Sequence, residues 1–298
     1  MIIHYAQGGL GNQLFNYAAA RSLADRVNTD LLIDTESYRD QWANDALRPF
    51  LLGNFPIRAK FRNLGQKYIK QPLVSRLIRR LNEDILSTII ERSPNEIAYF
   101  SKFDRLGKRT ILKGHFIDYR FFYWNNKRLS EDLKLCDDIL NNDWRGCNQL
   151  AAIHSAECAV AVHVRRGDLL NQNNKWLLLD GVGDYYKNAM MVMQARYSNA
   201  SYFVFSDDPD WCTRQFSGEP FKITVVESGN NPVKDILVDF FLMTACKHNV
   251  IANSAFSWWA AWLNRNPDKT VMAPHIYDSK QTIPIEQIIP PEWVKVFW

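Results

Sequence analysis

The chain has 298 residues, 47% apolar and 23% charged, with a formal net charge of +4. That is enough for one large or two medium globular domains, and the mild charge suits a phosphate-bearing small ligand but gives no argument for nucleic acid. Five cysteines form no C-x-x-C pair and leave one over, no apolar run reaches the ~18 residues of a membrane span, and Met1–Tyr5 is too short for a signal peptide, so the expectation is a reduced, soluble, cytoplasmic protein without a zinc site.

In chain order, residues 2–6 read as a first strand, followed by the loop Gly8-Gly9-Leu10-Gly11-Asn12-Gln13. Leu14, Phe15, Ala18, Ala19, Ser22, Leu23 and Val27 then keep the i, i+3/i+4 period of a helix with one buried face. Leu31–Asp34 reads as the next strand, so the chain opens as a Rossmann-like unit. Arg58 to Arg80 carries eight basic residues and no acidic one. Leu73, Leu77, Ile78 and Leu81 lie at helical spacing there, which fits either a solvated helical insertion or a helix resting on an anionic membrane. Ile111–Phe116 reads as a strand and turn, and the aromatic run Tyr119–Trp124 follows.

The polar stretch Asn141–Gly146 reads as a domain junction, and α/β alternation restarts after it. Strands are expected at 159–164, 201–206, 222–226, 249–252 and 270–273, with helices near 185–197 and 233–247. The expected domains are 1–150 and 151–298, two Rossmann-like halves with a ligand cleft between them, the last ~25 residues packing back on the first. Ten tryptophans, twelve tyrosines and seventeen phenylalanines fit either sugar platforms or a filled core.

Four segments carry chemistry. The apolar run Ala159–Val162 ends in His163-Val164-Arg165-Arg166-Gly167-Asp168. A strand buried on both faces delivers its C-terminal residues to the ligand edge of a parallel sheet. Arginine there suits a phosphate, and the alternative is that the arginines face solvent or pair with Asp168. The Gly8–Gln13 loop lacks both G-x-G-x-x-G spacing and a P-loop lysine, yet Gly9 and Gly11 allow close backbone approach at a helix start. Asn253-Ser254-Ala255-Phe256-Ser257 is a second strand-to-helix turn whose caps and amides could cradle a diphosphate. In Ser206-Asp207-Asp208-Pro209-Asp210 the formal D-x-D holds a proline, which points to a capped turn or helix start rather than a metal site. Asp239, within an apolar helical stretch, needs a partner from the protein or the N–H groups of a ligand such as guanine.

Together, "GGLGNQLFNYAAA" (8–20), "VHVRRGD" (162–168), "VFSDDPDWC" (204–212) and "IANSAFSWWAAWL" (251–263) resemble the soluble bacterial α-1,2-fucosyltransferases of glycosyltransferase family 11, in the family's order. The resemblance implies an α/β, GT-B architecture of two facing Rossmann-like domains, the first on the acceptor side and the second on the donor side. It implies GDP-β-L-fucose as donor, inversion at the anomeric carbon, no required metal, and a galactose-terminated acceptor glycan. By resemblance Arg165 holds the β-phosphate, His163 and Asp239 contact guanine, and the 253–257 turn (Asn253, Ser254, Phe256, Ser257) binds phosphate. Asn12 reaches from the first domain toward the donor, and Gly9, Gly11, Arg166, Asp168 and Asp207 complete the expected donor site. Ala255 stands where Ser or Thr is usual, and "GHFIDYRFF" (114–122) replaces the usual "GYFQSEKYF", a departure on the acceptor side.

Departure of GDP leaves negative charge that Arg165, helped by Arg166 or nearby amides, can stabilise. Asp168, Asp184 and Glu227 are candidate bases by residue type only. The alternatives are a metal-dependent glycosyltransferase using another nucleotide sugar, or a non-catalytic nucleotide- or glycan-binding protein. The expected setting is cytoplasmic surface-polysaccharide biosynthesis; a lipid-linked acceptor with membrane contact through 58–80 is one reading of the basic stretch, and a solvated helical insertion is the other.

Overall fold

A computed structural model of the protein describes residues 1–38, 48–62, 87–94, 96–170, 175–179 and 181–298. Most of the basic segment 58–80 lies outside the described residues, as do the side chains of Asp137 and Asp168. The chain divides into two compact units, Met1–Lys134 and Leu135–Trp298.

Five parallel strands form the sheet of the first unit: β1 (Ile2–Tyr5), β2 (Leu31–Asp34), β3 (Lys60–Arg62), β4 (Thr88–Arg92) and β5 (Thr110–Gly114). Their order is β3-β2-β1-β5-β4. The apolar strands β1, β2 and β5 stand where the sequence places them, in the middle of the sheet. Helix α1 (Leu10–Arg26) departs from the one-sided pattern expected of it, being buried nearly all round. Its polar residues accordingly have partners: the Tyr17 hydroxyl donates to Asp132 at 2.7 Å, and Arg21 pairs with Asp25 at 2.8 Å. Buried polar groups persist when answered in this way. A short helix, α2 (Asn126–Asp132), brings Asp132 to this cluster, where Arg58 also binds it at 2.7 Å.

The second unit opens with α3 (Trp144–Ser155), capped by Asp143, whose carboxylate accepts the Gly146 N–H at 2.8 Å. The polar stretch read as a junction is thus a helix start, and the boundary expected at 150 falls inside that helix. Six parallel strands follow: β6 (Cys158–Val164), β7 (Ala200–Ser206), β8 (Lys222–Val225), β9 (His248–Val250), β10 (Val271–Pro274) and β11 (Val294–Val296). Their order is β11-β10-β9-β6-β7-β8. All seven residues of β6 are buried. Helices α4 (Val182–Arg196), α5 (Pro209–Gln215), α6 (Pro232–Ala245) and α7 (Ala255–Leu263) complete the unit. Tyr185, Tyr186, Tyr202, Trp258 and Trp259 are fully buried, so much of the aromatic content serves the core. The last residues add a strand to this sheet, and Trp298 packs on Tyr185 and His275, where the sequence allowed a return to the first unit.

Both sheets contain a topological switch point. In the second sheet strand order runs outward in opposite directions from the β6/β9 pair; in the first it runs outward from β1 to β3 on one side, and on the other the chain returns through edge strand β4 to β5 beside β1. Ligands of open parallel sheets bind beyond the carboxyl ends of strands at such points. The loops concerned are Gln7–Gly9 with Gly114–His115 in the first unit, and Arg165–Gly167 with Ile251–Ser254 in the second. Among the described residues, no helix is long and apolar enough to cross a membrane.

Candidate active site

Val162 of β6 pairs with Val250 of β9, so the residues after the two strands emerge side by side. The His163 ring lies 5.4 Å from that of Phe256, in the first turn of α7, and Phe256 lies 5.4 Å from Phe240 on α6. Two motifs about ninety residues apart in sequence therefore meet at one edge. Arg165 is half-buried immediately past β6. Its backbone N–H bonds to the buried Tyr186 hydroxyl, and its charge bears on both His163 and Tyr277.

Arg166 is engaged differently. Its N–H donates to Asp207 at 2.8 Å, and its Nε reaches Asp208 at 3.3 Å. The guanidinium stacks 4.3 Å from the Trp211 ring centroid. Asp207 and Asp208 thus build the loop: a Cβ on Gly167 would stand 3.0 Å from Asp207 Oδ2, and Asp208 caps α5 by accepting the Trp211 N–H at 3.1 Å. Capping by Asp208 ahead of Pro209 is the helix start that the sequence suggested. Asp168 lies in the 3-10 turn Gly167–Leu170, its side chain outside the described residues. Replacing Arg166 by Ala is expected to lower stability by about 1–2 kcal/mol, through loss of the stacked, partly buried cation and its ion pair. Urea unfolding should register that loss, while GDP affinity stays within a few-fold of wild type.

In the 253–257 turn most side chains are committed to the protein. Asn253 donates both amide hydrogens to backbone carbonyls, Leu177 O at 2.6 Å and Tyr277 O at 2.8 Å. Ser257 is 1% exposed; its hydroxyl accepts the Ala252 N–H at 3.2 Å and donates to Ser254 O. In this structure these two side chains hold the turn. Ser254 is the N-cap and accepts the Phe256 N–H at 3.3 Å. What remains for an anion is the positive end of α7, where the Ala255 and Ser257 N–H groups find no partner among the described residues. Tyr277, beside Arg165, gave no sequence signal.

His163 is 9% exposed, and its Nδ1 has no hydrogen-bond partner among the described residues. Burial, reinforced by the Arg165 charge, pushes its pKa down to about 3. A neutral imidazole is no phosphate clamp, but it can exchange a hydrogen bond with a base or ribose. Asp239 has a protein partner, one of the two that the sequence allowed: Oδ1 accepts from Arg145 Nη1 at 3.0 Å. Burial pushes this carboxyl up to about 6 despite the arginine. Arg145 lies in the stretch read as a junction; the one clue to it was that a buried aspartate calls for a cation. Asp184 and Glu227 are exposed, Asp184 in the first turn of α4.

In the first unit, Gly8 takes φ +77°, and a Cβ there would stand 2.8 Å from Asn12 Nδ2. Gln13, fully buried, donates to Gly8 O and Pro49 O and accepts the Leu51 and Leu52 N–H groups, all between 2.9 and 3.1 Å. Tyr38 also donates to Gly8 O at 2.8 Å. Gly9 is the N-cap of α1 without a side-chain cap, and a Cβ on it would meet nothing within 4 Å. The start of α1, with Gly11 and the half-buried Asn12, is an open helix terminus braced from behind. Beside it at the switch point, Gln7 Nε2 and His115 Nε2 lie 3.1 Å apart.

Among the described residues, no group of three His, Cys, Asp or Glu side chains could hold a metal ion. All five cysteines are free thiols.

The family model "Glycosyl transferase family 11" matches residues 98–296. The O-antigen biosynthesis glycosyltransferase WbnK of Escherichia coli is 30% identical over 90% of this chain and 91% of its own length. An alpha-1,2-colitosyltransferase of Escherichia coli is 25% identical over 99% of each chain. Among solved structures, the fucosyltransferase NodZ from Bradyrhizobium superposes with a TM-score of 0.53 at 19% identity, covering 87% of this chain and 91% of that one. That likeness places the two parallel-sheet units in the GT-B fold class.

Proposed function

The chain belongs to glycosyl transferase family 11, and from that premise we propose that it transfers L-fucose from GDP-β-L-fucose, with inversion and without a metal, to the 2-hydroxyl of a terminal galactose in a glycan. The observation that carries the reading is the convergence at the β6/β9 switch point. Arg165 and the positive end of α7 stand beside a neutral His163, and α6, which carries the partly exposed Asp239, packs on Phe256 through Phe240. A guanosine diphosphate matches this polarity, anionic at one end and rich in N–H donors at the other.

In this reading Arg165 and the free α7 amides take up charge on the β-phosphate as the sugar–phosphate bond breaks. His163 and Phe256 flank the nucleoside, and Asp239 receives guanine N–H groups. Gly9, Gly11 and Asn12 offer the α1 terminus to the phosphate or the fucose. Engagement of Asp207 and Asp208 within the protein supports chemistry that does not route through a carboxylate-held metal. The O-antigen relative supports a surface-polysaccharide acceptor, and the basic segment 58–80 supports contact with an anionic carrier lipid at the cytoplasmic membrane face.

GDP release from GDP-fucose in EDTA, with and without lactose or N-acetyllactosamine, tests the reading. Acceptor-stimulated release is expected. Release that needs Mn²⁺ restores the metal-dependent alternative; binding without turnover toward any acceptor leaves a non-catalytic protein. A colitosyl donor belongs in the same assay, since one relative carries that sugar in its name.

A further inference from the structure

Arg145 is 6% exposed on α3, and its guanidinium reaches across to α6 and to the segment between β8 and α6. Nη1 donates to Glu227 O at 2.6 Å and to Asp239 Oδ1 at 3.0 Å, while Nη2 donates to Asp235 Oδ1 at 3.0 Å. Asp235 and Asp239 lie one helical turn apart, a spacing at which like charges repel. The Arg145 guanidinium, bonded to both, offsets that repulsion. The surrounding charges are Asp143, which caps α3, and Lys234, whose Nζ lies 3.5 Å from Asp143. Two cations thus face three carboxylates, and the cluster is short of one positive or N–H-donating group.

The two carboxylates differ in freedom. Asp235 is 13% exposed and wedged against Gly229, where a Cβ would stand 2.3 Å from its Oδ1. Asp239 is 26% exposed, and its Oδ2 accepts no hydrogen bond among the described residues. The next residue, Phe240, packs on Phe256, which faces His163. The helix that carries Asp239 is thus tied through Phe240 to the Phe256–His163 pair, while Asp239 keeps one carboxylate oxygen without a hydrogen bond among the described residues.

We propose that Arg145 is a positioning residue, whose fork orients the Asp239 carboxylate and keeps it ionised to receive the N–H edge of the donor's guanine. The inference rests on the reading of Asp239 as the base-recognising group. Without the arginine, burial acts on Asp239 unopposed, and a protonated carboxyl presents an O–H where the base needs an acceptor. Lysine in its place keeps the charge but loses the fork, so it separates ionisation from orientation.

The test is calorimetric binding of GDP and inosine diphosphate to the full chain between pH 5 and 9, for wild type, Arg145→Met and Arg145→Lys. Inosine diphosphate lacks the exocyclic amino group, and its ratio to GDP cancels titration of the phosphates. Wild type should favour GDP roughly tenfold or more at pH 7.5, since the lost contact is to a charged acceptor. The preference should collapse as pH falls through about 6. Arg145→Met should move that collapse above pH 7 and regain the preference at higher pH. Arg145→Lys should lower the preference while leaving the midpoint near that of wild type. A wild-type ratio near one at every pH overturns the reading of Asp239, and the proposal with it. A normal wild-type ratio left unmoved in both variants overturns the role of Arg145 alone. If Arg145→Met does not fold, the lysine variant still decides: an unchanged ratio overturns the proposal.

Discussion

Arg165→Ala is expected to cut turnover by ~10²–10³. Arg165 stands past the end of β6, where its backbone N–H bonds to Tyr186. Truncating the side chain leaves that hydrogen bond and the seven-residue pairing of β6 with β7 in place. The guanidinium lies at the switch point beside His163, which is neutral and cannot replace it. The neighbouring cation, Arg166, is held by Asp208 and Trp211. Leaving-group charge is greatest in the transition state, so the loss should fall mainly on kcat, with a smaller change in KM for GDP-fucose. Arg165→Lys should recover only part of the rate, because an ammonium cannot give two parallel hydrogen bonds to a phosphate. Steady-state GDP release with lactose as acceptor measures both variants. Full activity in Arg165→Ala would remove the residue from the mechanism.

The contrast between adjacent arginines marks where the sequence stops being informative. Strands such as β1, β2 and β6 are legible because a short β-branched run buried on both faces has few other solutions. Their position at the ligand edge follows from topology, so the motifs at 163–168 and 253–257 can be assigned to one site before any contact is known. The outer strands β3 and β4, Lys60–Arg62 and Thr88–Arg92, are not legible. Exposed and charged residues interrupt them, and only their pairing with β2 and β5 makes them strands. Hydrogen-bond saturation is equally invisible. Asn253 and Ser257 look like ligand groups in the text, yet Asn253 donates to backbone from elsewhere in the fold and Ser257 bonds to backbone of its own turn. Arg145 was hidden for the converse reason, since its carboxylate partners lie about ninety residues away, on a helix that no local pattern links to it.

Asp239 permits a sharper test than loss of function, because its chemistry can be inverted. A carboxylate that reads guanine accepts from N1–H and from the exocyclic amino group. Asparagine offers one acceptor and one donor, and xanthine offers N1–H beside a carbonyl in place of that amino group. Asp239→Asn is therefore expected to weaken GDP by roughly 10–100-fold, the range for losing a hydrogen bond to a charged acceptor, and to bind xanthosine diphosphate more tightly than GDP. Stability should move the other way. The folded-state pKa of Asp239, about 6, is raised above its ordinary value of 3.8. The folded protein thus holds this proton more tightly than the unfolded chain, and the group's contribution to stability falls as pH rises from about 4 to about 6. Above that window the ionised carboxylate remains a cost, which a neutral amide lacks while keeping an oxygen for Arg145. The variant should therefore melt no lower than wild type at pH 7.5 and lose that part of the pH slope. A variant that melts lower and binds both nucleotides equally poorly would place Asp239 in the scaffold. A carboxylate that weakens its own fold yet discriminates between guanine and xanthine would instead be retained for the ligand it reads.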